Sequence, residues 1–295
     1  PAGWRVPLVF RREGRTEEMM VRLAGVHAAA ELAEIASGRR RSGPPGPPGE
    51  TPPEEEESPV ANLPESLKDL YDPRTGFTNY HFSRRERDRV AAAIQQRIGG
   101  DQVEGVWELS GSLADGRPFR IELSDVLATI DLPTGTSRLD PRAALDQSPV
   151  PPGSGGLLAA LVVWRQLLSE GPAAVGRTDY AGTAPAAADA AAFSDDTPLA
   201  DLLRSDVAGV RVEAFVSRGD AAGRLVGIDL WSAPRADPCE VRLLYRESEA
   251  GGAAWVPAAM DVRVGNTPFG LFKIDRCSVT PAAERDAGGQ PAAAD

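Results

Sequence analysis

Apolar positions along the chain fall into two periods, one of two residues and one of nearly four. Trp4 to Leu23 holds two apolar, strand-like runs around a tight Arg-Glu-Gly-Arg turn, which predicts a β-hairpin. Val26 to Ser37 reads as a short alanine-rich helix with Gly38 as its C-cap. Ser83 and Glu86 have capping-box spacing, and Val90, Ile94 and Ile98 recur every four residues behind them. This predicts an amphipathic helix of roughly 15 residues ending at Gly99-Gly100. Strand patterns follow over Val103–Gly111, Arg117–Leu123 and Val126–Leu132, with turns at Ala114-Asp115-Gly116 and Pro133-Thr134-Gly135. A second helix is expected from Leu157 to Ser169, with Ser154 as N-cap and apolar residues on most sides. Ala181 to Ala192 carries no clear period and reads as a loop. The last hundred residues return to strands, at Val210–Val216, Arg224–Trp231, Cys239–Tyr245, Val256–Val264 and Phe269–Val279. This serial spacing favours an antiparallel meander.

Between these patterns lie segments without one. Arg39 to Ala61 holds RRR, PPGPPG and EEEE in succession, and its prolines forbid a continuous helix or sheet. The tail after Pro281 is small and polar and is expected to be disordered. The organisation expected is residues 1–38 as a hairpin with a short helix, 39–62 as a linker, 63–281 as one domain and 282–295 as a tail. The order of elements gives an α+β fold, a curved antiparallel sheet covered by helices. A two-stranded hairpin is marginal alone in water, so the opening strands read as the end of a β-domain cut by a boundary, with function expected upstream.

Composition narrows the partners. A net charge of -11 over 295 residues argues against nucleic acid and anionic membrane surfaces. No apolar stretch approaches the ~18 residues that span a bilayer. His27 and His81 are the only histidines, far apart, and Cys239 and Cys277 the only cysteines, so no zinc spacing exists. No metal and no cofactor is expected. A Cys239–Cys277 disulfide stays open, with two unpaired small residues favoured. Strict alternation puts Cys277 on the opposite face from Ile274.

Candidate chemistry is thin. Pro152-Gly-Ser154-Gly-Gly156 approaches the Gly-x-Ser-Gly-Gly of trypsin-like nucleophiles, but Pro152 replaces the leading glycine and a helix follows. A helix cap accounts for Ser154, and loss of that cap would cost about 1 kcal/mol. His81, in the run Phe77, Tyr80, Phe82, reads as a packing residue, and His27 as a surface one. Glu54 to Glu57 lack calcium-loop spacing. Asp195-Asp196 read as capping residues beside a proline-bearing loop. No catalytic residue is assigned. The stronger candidate is an apolar pocket on one sheet face formed by Trp107, Leu109, Phe119, Ile121, Val212, Ile228, Leu230, Leu243, Tyr245, Met260 and Val262. A sheet that stays open there would hold an acyl chain or apolar peptide; the alternative is an ordinary packed core.

Two resemblances add to this reading. Val6 to Phe10, Arg12, Gly14 and Val21 to Leu23 resemble the closing strands of PDZ domains in HtrA/Deg-type serine proteases. Leu70 to Phe82, Pro152 to Gly156, Tyr180 to Thr183 and Asp237 to Glu240 are similar to the C-terminal region of trypsin-like PDZ proteases of Planctomycetes-type bacteria. The final meander, with Trp255-Val-Pro257 ahead of a strand, resembles the LolA/LolB lipoprotein-carrier fold, a half-open β-barrel lidded by helices. These resemblances imply a non-catalytic accessory segment of a periplasmic or envelope protease, partnered by its own upstream PDZ and protease domains. The alternative they imply is a carrier of lipid or lipoprotein. A hydrolase using Ser154 is a remote third.

Overall fold

The computed structural model describes residues 4–23, 64–74, 77, 79–99, 103–147, 150–187, 191–194, 196–233, 236–246 and 255–281. The helix expected at Val26–Ser37, the linker with Glu54 to Glu57, and the tail lie outside the described residues.

Eleven strands form one antiparallel sheet. In chain order they are β3 (Val106–Leu113), β4 (Pro118–Leu123), β5 (Ala128–Leu132), β6 (Gly135–Leu139), β7 (Arg177–Pro185), β8 (Leu199–Val207), β9 (Val210–Val216), β10 (Leu225–Trp231), β11 (Cys239–Leu244), β12 (Ala259–Val264) and β13 (Thr267–Thr280). The sheet order is β6-β5-β4-β3-β13-β12-β11-β10-β9-β8-β7. Long β13 joins two meanders, pairing β12 along its first half and β3 along its second. Edge strands β6 and β7 do not pair, so the curved sheet stays unclosed. The chain adopts the expected curved antiparallel sheet, with few helices among the described residues where a covering of helices was expected.

Local differences have physical causes. β6 (GTSRL) is largely exposed, so it has no apolar alternation to read. β8 is buried on both faces: Leu203 faces the main core, while Leu202 packs with Ala184, Ala200 and Phe215 on the other side. Alternation vanishes when both faces are covered. β7 runs through Pro185 into the segment expected as a loop. A bulge between Ile274 and Arg276 adds one residue to β13, so Cys277 packs against the same core as Ile274, contrary to strict alternation. At this irregularity a Cβ on Gly111 would collide with the Lys273 carbonyl, so only glycine fits. Both cysteines are free thiols.

Helix α1 spans Tyr80–Ile98. It starts three residues before the expected capping box: the Asn79 side chain accepts from His81 N at 3.0 Å. Glu86 instead pairs with Arg89. Val90, Ile94 and Ile98 form the buried stripe, and Gly99 ends the helix at φ 64°. Helix α2 spans Gly155–Ser169 and lies in the concave face of the sheet, packed against β4, β5, β6, β10 and β11. Sheet surrounds it, so its apolar residues are buried on every side.

The opening hairpin, β1 (Arg5–Arg12) with β2 (Arg15–Arg22), forms its own two-stranded sheet. Its open end rests on the convex face, where Glu213, Asp229 and Glu240 stand directly opposite one another on β9, β10 and β11. All three are buried. Like charges opposite each other repel, and buried charge needs a partner. Arg5 and Arg22, themselves a cross-strand pair, meet them. Arg5 Nη1 reaches Glu240 Oε2 at 2.5 Å, and Arg22 Nη2 reaches Asp229 Oδ2 at 2.7 Å. Arg242 Nη1 donates to Asp229 Oδ1 at 2.5 Å, and Arg204 donates to Glu213 Oε1 at 2.7 Å. Trp4 Nε1 donates to the Thr183 carbonyl and Asn266 Nδ2 to the Met20 carbonyl, which ties the hairpin down on both flanks.

Burial and the Asp229 carboxylate push Glu240 up to about 7 against its arginine partners. Burial alone would raise Asp229 too, but Arg242 and Arg22 outweigh it and hold Asp229 below its usual range. A carboxyl raised on folding stabilises below its unfolded pKa, and that contribution is lost as pH rises through the folded value. The urea midpoint is therefore expected to fall between pH 5 and pH 8, and Glu240→Gln to flatten that slope. Asp229→Ala leaves Arg242 without its closest carboxylate and is expected to cost about 3–5 kcal/mol, checked by urea unfolding at constant pH.

Candidate functional site

Strand alternation brings the eleven sequence-predicted pocket residues to one face, the concave one. Trp107, Leu109, Phe119, Ile121, Val212, Ile228, Leu230, Leu243, Met260 and Val262 are buried in one continuous core, with Tyr245 packed against it. The Tyr245 hydroxyl donates to the Leu225 carbonyl at 2.7 Å, and burial raises its pKa. The space between these residues is filled by α2. Trp164 of α2 meets Trp107 edge-on at 5.0 Å between ring centres, and Trp255 lies 4.5 Å from Trp107. Trp107 Nε1 donates to the Val103 carbonyl at 2.7 Å. Trp164 Nε1 and Trp255 Nε1 are buried with no acceptor among the described residues. None of the eleven residues lines the described cavities.

One charged side chain anchors α2. Arg165, 6% exposed, donates Nη2 to the Gly105 carbonyl at 2.8 Å and pairs through Nη1 with Asp125 at 2.7 Å. Its long stem lies along the core while the guanidinium reaches the strand ends. Among the described residues, helix position therefore depends on this one polar anchor and otherwise on apolar packing.

The open space lies at one end of the concave face. A cleft of about 250 Å³ is lined chiefly by Leu113, Leu132, Pro133, Phe269, Leu271 and Phe272, at the β3–β4 and β5–β6 turns and the start of β13. Phe272 is buried and stands edge-on to Phe119 at 5.1 Å; Phe269 stacks on it at 6.2 Å and is 36% exposed. Leu113 and Leu132 pack against the main core, so the cleft borders it. Sequence reasoning did not assign these residues to a site: Pro133 sits at a turn, Leu113 and Leu132 end their strands, and an irregularity opposite Pro268–Gly270 breaks the alternation at the start of β13.

Ser154 is not the cap expected. It precedes α2 with φ 77°, in left-handed backbone, and its side chain makes no cap hydrogen bond. It is fully buried, and its Oγ has no partner among the described residues. Gly153, at φ 75°, sets up the same tight approach, held where Ser137 Oγ donates to the Gly153 carbonyl. His81 stacks edge-on against Phe82 at 5.3 Å, and its Nδ1 has no partner among the described residues, so no Ser154–His81 hydrogen bond is made. Asp195 and His27 lie outside the described residues. Among the described residues no group of three or more His, Cys, Asp or Glu is placed to hold a metal, and no helix is long and apolar enough to cross a membrane.

No family model matches the chain, and no curated protein matches it. Among solved structures the chain is similar to a domain assigned as an outer membrane lipoprotein-sorting protein from Vibrio parahaemolyticus. That alignment covers 66% of this chain and 93% of the other, with 9% identity and a TM-score of 0.36. No match to a PDZ domain or a trypsin-like protease accompanies it.

With no cap bond to lose, Ser154→Ala is expected to stay within about 0.5 kcal/mol of the parent in urea unfolding, whereas a capping serine would cost about 1 kcal/mol.

Proposed function

We propose that this chain is a binding or carrier domain for an acylated ligand, a lipid or the acyl chain of a lipoprotein, acting in the cell envelope or periplasm. The observation that supports it best is the apolar cleft at Phe269 and Phe272, whose walls border the core packed between the sheet and α2. Ligand sites are concave and mainly apolar, with a few polar groups that orient the ligand. The two indole N–H groups of Trp164 and Trp255, unpartnered among the described residues, lie in the core and not in the cleft wall; they are donors that would suit an ester or carboxyl oxygen once a ligand reached them. An acyl chain seated at Phe269 and Phe272 would extend inward only as α2 shifts, and among the described residues α2 has a single polar anchor at Arg165. The protease-accessory reading has less behind it, because the hairpin that carried the PDZ resemblance makes its ion pairs with this chain's own sheet.

The test uses the buried tryptophans as donors. Dansyl-labelled undecanoic acid is expected to quench tryptophan emission saturably and to show energy transfer. Phe269→Asp, at a partly exposed position, is expected to weaken that binding at least tenfold with an unchanged melting temperature. Absence of transfer, or equal binding by the variant, removes the reading.

A further inference from the structure

The largest described cavity lies on the other side of the sheet, has no part in the acyl-ligand reading, and is unlike the cleft in chemistry. It encloses about 510 Å³ above β8, β9 and β10. Arg22 of the hairpin forms one flank and the β8–β9 turn, Val207 to Val210, another. Its charged groups are Arg22, Arg204, Arg211, Asp206 and Glu213, with Trp231 and Ser232 beside them.

Two observations point to a ligand. Glu213 is 4% exposed, and its Oε1 is taken by Arg204, but Oε2 has no hydrogen-bond donor among the described residues. Arg22 Nη1 stands 3.7 Å from that oxygen, close enough for charge attraction and too far for a hydrogen bond. A desolvated carboxylate oxygen is costly without a donor. Arg211 supplies the complementary need. Its guanidinium is half-exposed, and among the described residues its one ion pair is a long Nε contact of 3.6 Å to Asp206. Arg204 uses Nε and Nη2 on Glu213, which leaves Nη1 for a ligand.

Charge decides the class of ligand. Three arginines against Asp206 and Glu213 leave one positive charge, and the adjoining Asp229 and Glu240 are balanced by Arg242 and Arg5. A simple cation is repelled by the arginines. A simple anion satisfies Arg211 but brings no donor to Glu213. A molecule with one carboxylate and several hydroxyls meets both demands, its carboxylate on the Arg211 fork and a hydroxyl donating to Glu213 Oε2.

We propose that this basin binds a hydroxylated monocarboxylate of the sugar-acid class. The probe is D-glucuronate, measured by calorimetry on the full chain beside D-glucose, which lacks the charge, and acetate, which lacks the hydroxyls. Glucuronate is expected to bind saturably and at least tenfold tighter than either. Arg211→Gln is expected to abolish that preference over glucose with melting unchanged. Asp206→Asn, which releases Arg211, is expected to bind glucuronate at least as tightly as the parent. Acetate binding equal to glucuronate, glucose binding equal to glucuronate, no binding, or weaker binding by Asp206→Asn overturns the proposal. The dansyl-acyl test reads the opposite face, so the two results stand independently.

Discussion

Three carboxylates abreast on the convex face, Glu213, Asp229 and Glu240, make the demand that the rest of the structure answers. Left bare, the row would repel itself across three neighbouring strands. It tolerates burial because four arginines converge on it, two from the sheet and two from the hairpin. The hairpin in turn is marginal as an isolated pair of strands. Each side therefore needs the other: the arginines neutralise the row, and the row gives the hairpin its seat. Such a network brings little net stability over apolar packing, but breaking one member is expensive, which makes the docking geometry specific.

That arrangement divides the sheet into two faces of opposite character. The concave face is apolar and filled by α2, with the three tryptophans 107, 164 and 255 at its centre. The convex face is charged under the hairpin and apolar around Leu202 and Phe215, where Trp4 packs. The proposed acyl ligand would use the first face and the proposed hydroxylated anion the second. Edges β6 and β7 do not pair, and the turns at one end leave the Phe269–Phe272 cleft open.

Much of the fold was legible in the chain. Period-two alternation located β3, β4, β9, β10, β11 and β12, and the four-residue recurrence of Val90, Ile94 and Ile98 located α1. The same alternation put all eleven predicted apolar residues on one face. What escaped were elements whose local pattern is overridden. Doubly buried β8 has no alternation, largely exposed β6 has one apolar residue, Leu139, and so no alternation to read, and the start of α1 belongs to Asn79, where a local Asn hydrogen bond prevails over the Ser83 capping box. Ser154 looked like a cap by residue type, yet its left-handed backbone carries the hydroxyl away from the first helical amides.

The chain by itself determined which residues turn inward, because alternation along a strand is a property of backbone geometry. It also determined the helical character of Leu157–Ser169, since a leucine- and alanine-rich run without proline favours a helix, and apolar residues on most sides favour one that is buried all round. Tertiary structure alone decided that this helix fills the concavity where an open pocket was expected, that the cleft sits at Phe269 and Phe272, and that polar residues of the hairpin and convex face are buried together. Charged residues on alternate positions read as solvent-facing until another element covers them. Whether one does depends on contacts more than 200 positions apart, such as Arg22 with Asp229, and no local pattern encodes that pairing.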